Sequence, residues 1–149
     1  MFENEDELSL TAIQWFNKGY DYDVKEDYDN AIFAYTKSLE LNPEDADAYT
    51  NRGVAYDTIG EYDLAIRDYT KALELNPEDA DAYTNRGVAY DTIGEYDLAI
   101  RDYDQIIKLN PRAVDAYINK VDACEKSGHY TSSQIEAVKQ IIRDLGGHI

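Results

Sequence analysis

The stretch from Leu39 to Tyr69 occurs again without a change from Leu73 to Tyr103, at an offset of 34 residues. Pro43, Pro77 and Pro111 keep the same interval. A fixed period in this range implies stacked supersecondary units, each burying its apolar face only against its neighbours.

The frame extends beyond the duplicate. Repeats begin at Ala12, Ala46, Ala80 and Val114. Place four holds Trp15, Tyr49, Tyr83 and Tyr117; place eight Gly19, Gly53, Gly87 and then Val121; place eleven Tyr22, Tyr56, Tyr90 and then Cys124. This i, i+4, i+7 spacing is one face of a helix. A second helical stripe follows, in repeat two Ala65, Ile66, Tyr69, Ala72 and Leu73. Asn-Pro then ends the helix, because proline cannot continue it and restricts the residue before it. Each repeat therefore reads as helix A, a tight turn, helix B and a short link. Glycine at place eight costs helix A about 1 kcal/mol against alanine, so it predicts close approach of the two helices. Glycine at place fifteen (Gly60, Gly94 and Gly128) suits a left-handed cap.

With tyrosine again at places 17 and 24, alanine at 20 and 27, and proline at 32, the pattern resembles the tetratricopeptide repeat. The resemblance runs from Ala12 to Leu145. It implies an all-α fold, a right-handed superhelical solenoid of about four antiparallel helix pairs, with the A helices lining the concave side. The expected repeats are 12–45, 46–79, 80–113 and 114–145, the last a degenerate capping unit. Residues 1–11 are an acidic leader or N-terminal cap, and 146–149 a tail. Thirteen of the fourteen tyrosines fall at places 4, 11, 17 or 24, which predicts core packing.

Both ends look finished. Ala48, Ala55, Ala82, Ala89, Ala116 and Ala123 give repeats two to four a small-residue face for stacking; repeat one shows polar Gln14, Lys18, Asp21 and Lys25 there. Repeat four loses the glycine and the tyrosine of place 24 (Val121, Ala137). Its last helix carries a capping box, Thr131 with Gln134 or Ser133 with Glu136. The apolar residues of that helix are Ile135, Val138, Ile141, Ile142 and Leu145, with Lys139, Gln140 and Arg143 toward water.

Charge narrows the partners. Fourteen basic against 31 acidic residues give −17. Such a surface repels phosphate backbones and anionic lipid, so nucleic acid and membrane are poor partners and a basic or neutral peptide is a better one. One cysteine excludes an internal disulfide. An acidic start without a signal-peptide layout points to the cytoplasm.

No enzyme motif occurs: no phosphate-binding loop, no glycine-rich dinucleotide turn, no paired cysteine or zinc-binding histidine motif. His129 and His148 read as solvated, Cys124 as a buried thiol. Glu44, Asp45 and Asp47 lack calcium-loop spacing and more simply complement a helix N-terminus. No cofactor, metal or catalytic residue is expected.

The informative surface is the groove of the A helices. Place six is asparagine throughout: Asn17, Asn51, Asn85 and Asn119. The amide both donates and accepts, so this row can hold the backbone of an extended peptide; the alternative is that it bonds within the repeats. Asp47, Asp81 and Asp115 at place two favour basic ligand residues. Thr50, Thr84, Val54 and Val88 complete the expected groove. Agreement of Thr50 with Thr84, Asp57 with Asp91 and Thr58 with Thr92 is not required by packing, and points to recent duplication or to design. Some relatives clamp a terminal carboxylate with lysine at place five, asparagine at places nine and six, and lysine and arginine at places two and six; here only the asparagine of place six matches. Arg52 and Arg86 at place seven are expected to pair with nearby aspartates.

Repeat one adds an apolar patch, Ile13, Phe16, Tyr20 and Val24, on the groove side. It suits an apolar ligand side chain, the leader with Phe2, Leu8 and Leu10 folded back, or a second copy of the chain. The expected function is a non-catalytic interaction scaffold binding an extended peptide. The alternative is a module that self-associates through this stripe or by repeat exchange.

Overall fold

The computed structural model describes residues 10–149, so the leader expectation falls almost wholly outside the described residues. Among the described residues eight helices follow one another: α1 (Ala12–Val24), α2 (Tyr28–Leu41), α3 (Ala46–Thr58), α4 (Tyr62–Leu75), α5 (Ala80–Thr92), α6 (Tyr96–Leu109), α7 (Val114–Ser127) and α8 (Ser132–Asp144). They form sequential antiparallel pairs, one pair per repeat, in an all-α fold. No described helix is long and apolar enough to cross a membrane. The chain divides into two compact units, Met1–Pro77 and Glu78–Ile149.

In the amino-terminal unit α1 packs on α2, α2 on α3, and α3 on α4. Local chemistry sets the ends. Thr11 and Gln14 close a capping box at α1; Asp27 caps α2 and Asp45 caps α3 through the Ala48 N–H at 3.1 Å. Asn42 and Asn76, each before a proline, leave the helix with extended-side ψ angles while their N–H groups still donate to Ser38 and Ala72 carbonyls at 2.8 Å.

The close approach expected at place eight is present. A Cβ on Gly19 would lie 2.6 Å from the Tyr35 ring, and one on Gly53 2.7 Å from the Tyr69 ring. Both rings are fully buried, as are Ala31, Ala34, Ala48, Ala55, Ala65 and Ala72. A bidentate pair ties α3 to α4: Arg52 Nε and Nη2 donate to Asp68 Oδ2 and Oδ1 at 2.6 and 2.9 Å. Nη1 also donates to Thr36 on α2 at 3.0 Å. Burial opposes the Arg52 charge, but the Asp68 bond and charge hold its pKa above the usual value. Tyr49 and Tyr56 flank the guanidinium at 5.6 and 5.9 Å. Tyrosines 49 and 56 are therefore only partly buried. In repeat two full burial of a tyrosine is confined to place 24, Tyr69, while those at places 4 and 11 cover the largely buried Arg52.

The carboxy-terminal unit repeats this chemistry. Asp79 caps α5, Arg86 pairs with Asp102 at 2.7 and 2.8 Å, and a Cβ on Gly87 would meet the Tyr103 ring at 2.8 Å. Ala99, Ile100, Tyr103, Ile106, Ala116, Ala123 and Cys124 form one core cluster. The box at α8 is the one built from Thr131 and Gln134. Ile142 is fully buried, whereas Ile141 is 40% exposed. It thus lies outside the apolar face expected of it, since successive helix positions point about 100° apart. Lys139 reaches Glu125 at 2.7 Å. Repeat four has valine at place eight and Ala137 at place 24, and a cavity of about 210 Å³ lined by Val121, Cys124, Ile135 and Val138 remains between α7 and α8.

Candidate functional site

Helix α1 carries the exposed apolar stripe. Ile13, Tyr20 and Val24 are 72, 58 and 68% exposed. Phe16 is partly covered, its ring 5.6 Å from that of Tyr35 in an edge-on contact. The stripe follows i, i+3, i+7, i+11 spacing, so one helix face presents all four side chains. On α3, Val54 is 40% exposed and Asp47 is open to solvent.

Tyr35 anchors a polar cluster beside the stripe. Its hydroxyl donates to Asp23 Oδ2 at 2.6 Å. Burial pushes the Tyr35 pKa far up, and the Asp23 bond and charge add to this; the Asn51 amide opposes it, and Tyr20 raises it slightly. Groups from α1, α2 and α3 thus converge on one buried phenol. Burial also raises the Asp23 pKa, against the Tyr35 bond that lowers it. Asp23 Oδ1 is buried without a hydrogen-bond partner among the described residues. Asp57, at the same place in repeat two, is likewise raised by burial.

The asparagines differ. Asn17 is exposed, and Asn51 is partly buried beside Tyr35. In the carboxy-terminal unit Asn85 and Asn119 are partly buried. Asp81 and Asp115 are exposed, and Val88 is 43% exposed. The threonines are less open than expected. Thr84 is partly buried and its hydroxyl donates to the Ala80 carbonyl at 2.8 Å; Thr50 is partly buried with Oγ1 unpartnered. The Thr84 hydroxyl is thus turned back to the preceding turn of its own helix, whereas the Thr50 hydroxyl is buried without such a bond. Thr58 and Thr92 are exposed, but each donates to a carbonyl of its own helix, Val54 at 2.8 Å and Val88 at 2.9 Å.

Sequence reasoning missed Asp23 and Lys126, and noted Asp57 and Asp91 only for their agreement between repeats. In the carboxy-terminal unit Lys126 donates to Asp91 at 2.7 Å and also pairs with Asp122. Those two bonds raise its pKa well above the usual lysine value. The signal available was aspartate at place twelve in three successive repeats, opposite the tyrosine of place 24. Near the α5–α6 turn His129 Nδ1 lies 3.1 Å from Asp97 on an exposed surface. Burial raises the Cys124 thiol pKa. No group of three His, Cys, Asp or Glu side chains among the described residues is placed to hold a metal ion.

Comparison with known proteins agrees with this architecture. The family model described as tetratricopeptide repeat matches residues 12–45, 46–79 and 80–112, more than half of the chain. Repeat four, 114–145, lies outside those matches. The first TPR of Spaghetti (RPAP3), bound to the HSP90 peptide SRMEEVD, is 29% identical with a TM-score of 0.73, covering 77% of this chain and 91% of that one. The crystal structure of MamA is 28% identical with a TM-score of 0.84, covering 91% and 78%. The second TPR domain of human RPAP3, in complex with the HSP70 peptide SGPTIEEVD, is 27% identical with a TM-score of 0.71, covering 75% and 93%. No curated protein sequence matches the chain.

Proposed function

The chain belongs to the tetratricopeptide repeat family, and from that premise we propose that it is a non-catalytic scaffold that binds an extended peptide on its A helices. The observation that carries this reading is the pairing of exposed apolar side chains with asparagine amides on those helices. Among the described residues no intrachain hydrogen bond engages the amides of Asn17, Asn85 or Asn119, while Tyr20, Val54 and Val88 stand open at 58, 40 and 43%. Peptide-bound structural relatives support the general role.

The ligand differs in charge from the acidic peptides those relatives hold. Exposed Asp47, Asp81 and Asp115 occupy place two, and the chain carries −17. A carboxylate-rich ligand would meet repulsion there; a basic or neutral segment would not. The cytoplasm suits a protein with one unpaired, buried thiol.

The test is selection of peptides from a random display library on the full chain, followed by the Asn85→Ala, Asn119→Ala double variant. Two backbone hydrogen bonds at about 1 kcal/mol each make an expected loss of roughly 30-fold in affinity. Full affinity in a folded double variant removes the asparagines from the site. The alternative of self-association draws on the exposed α1 stripe; light scattering that shows a monomer at high concentration ends it.

A further inference from the structure

The two compact units treat the aspartate of place twelve differently. In the carboxy-terminal unit Asp91 receives Lys126 from α7, and Asp122 completes the amine's partners. The lysine stands thirty-five residues after its aspartate. The same step from Asp23 reaches Thr58, whose hydroxyl is committed to the Val54 carbonyl at 2.8 Å. The counterpart of Asp122 is Val54, an exposed valine. The amino-terminal unit therefore has the aspartate without the lysine. Among the described residues no lysine or arginine forms an ion pair with Asp23, whose Oδ2 accepts from Tyr35; Oδ1 is buried without a partner in Asp23 and Asp91 alike, so the missing lysine is what separates them.

The apolar stripe runs up to this carboxylate. Phe16, Tyr20 and Asp23 follow i, i+4, i+7 spacing on α1 and share one face. We propose that this face of α1 binds a basic, apolar peptide segment, whose lysine or arginine pairs with Asp23 while its apolar side chains cover Ile13, Phe16, Tyr20 and Val24. The inference rests on the peptide-binding reading above and names the ligand class. Charge complementarity selects this occupant: a second copy would bring the same −17 and the same carboxylate to the interface, whereas a cationic segment supplies what Lys126 supplies to Asp91. Partial burial strengthens the pairing, because a desolvated carboxylate gains more from an opposite charge than an exposed one.

The probe is a fluorescent peptide of about ten alternating leucines and lysines, long enough to span α1 at roughly 3.3–3.6 Å per residue. Fluorescence anisotropy with the full chain is expected to show binding, and a glutamate-for-lysine version to bind at least about tenfold more weakly. Asp23→Asn and Tyr20→Ser should each weaken binding about fivefold or more, with circular dichroism unchanged. Thr58→Lys should restore the lysine from within, close the site and raise the melting temperature. No binding by the wild-type chain, or binding that survives all three substitutions, overturns the inference; if that surviving binding falls in the Asn85→Ala, Asn119→Ala variant, peptide binding itself stands. A sedimenting dimer that Tyr20→Ser dissociates also overturns it, and assigns the face to a second copy.

Discussion

The Tyr35 ring occupies the space a side chain on Gly19 would need, with Cε1 2.6 Å from the position of a Cβ there. The same relation links Gly53 to Tyr69 and Gly87 to Tyr103. These rings are fixed in the core, so an added methyl cannot be accommodated by a swinging side-chain end. Alanine would gain about 1 kcal/mol of helix propensity, against about 1–3 kcal/mol for overpacking. Gly53→Ala is therefore expected to lower stability or leave no gain, measured by urea unfolding. A clear rise in the denaturation midpoint would show that α3 and α4 separate freely.

Arg52 and Asp68 form a buried pair in which both carboxylate oxygens accept from one guanidinium. Removing one member strands the other, at a cost of about 3–5 kcal/mol. Asp68→Ala should lower the unfolding free energy by that amount. Lys71→Ala breaks an exposed, solvent-screened pair with Glu74 and should change stability far less. Equal effects from the two would contradict the burial of the arginine pair.

The frame was legible in the sequence because it is periodic. Gly53, Tyr69 and Pro77 recur at fixed places, and local rules alone turn that recurrence into helix, close approach and stop. The Arg52–Asp68 partnership was legible only in kind, since several aspartates lie near in sequence and packing chooses among them. Asp23 was invisible for a different reason. Its importance comes from Tyr35 twelve residues away and from a lysine that another repeat has and this one lacks. Thr84 looked available because nothing in the pattern requires it, yet its hydroxyl donates to the Ala80 carbonyl of its own helix. The exposed stripe at Ile13, Tyr20 and Val24 was legible from spacing alone, whereas what covers it depends on a partner.

Asp57 gives a pH test. Burial raises its pKa above the ordinary 3.8, and it ends a helix, α3, with no basic residue in the last turn. A carboxyl with a raised folded pKa binds more protons folded than unfolded across the window above 3.8. Its stabilising influence is complete below 3.8 and is lost as pH rises through the folded pKa. Ionised at neutral pH, it opposes the helix dipole as well. Asp57→Asn should raise the melting temperature at pH 7, with the advantage shrinking as pH falls toward 3.8. A constant difference across that range would place the effect elsewhere than ionisation.

Repeat one ends helix A on Glu26 with φ of +59°, where the later repeats use Gly60 and Gly94 at +84° and Gly128 at +68°. A side chain in this left-handed region costs about 1–2 kcal/mol, and only part of that is offset by the entropy glycine loses on folding. A Cβ on Gly60 would have no neighbour within 4 Å, so backbone conformation alone decides the outcome at that place. Glu26→Gly should then stabilise the chain by about 0.5–1 kcal/mol, and Gly60→Ala should destabilise it by about 1–2 kcal/mol. Chemical denaturation of both variants measures the pair. Opposite signs are expected from substitutions at the same place in adjacent repeats; matching signs would mean that neighbouring contacts, and not φ, govern the turn.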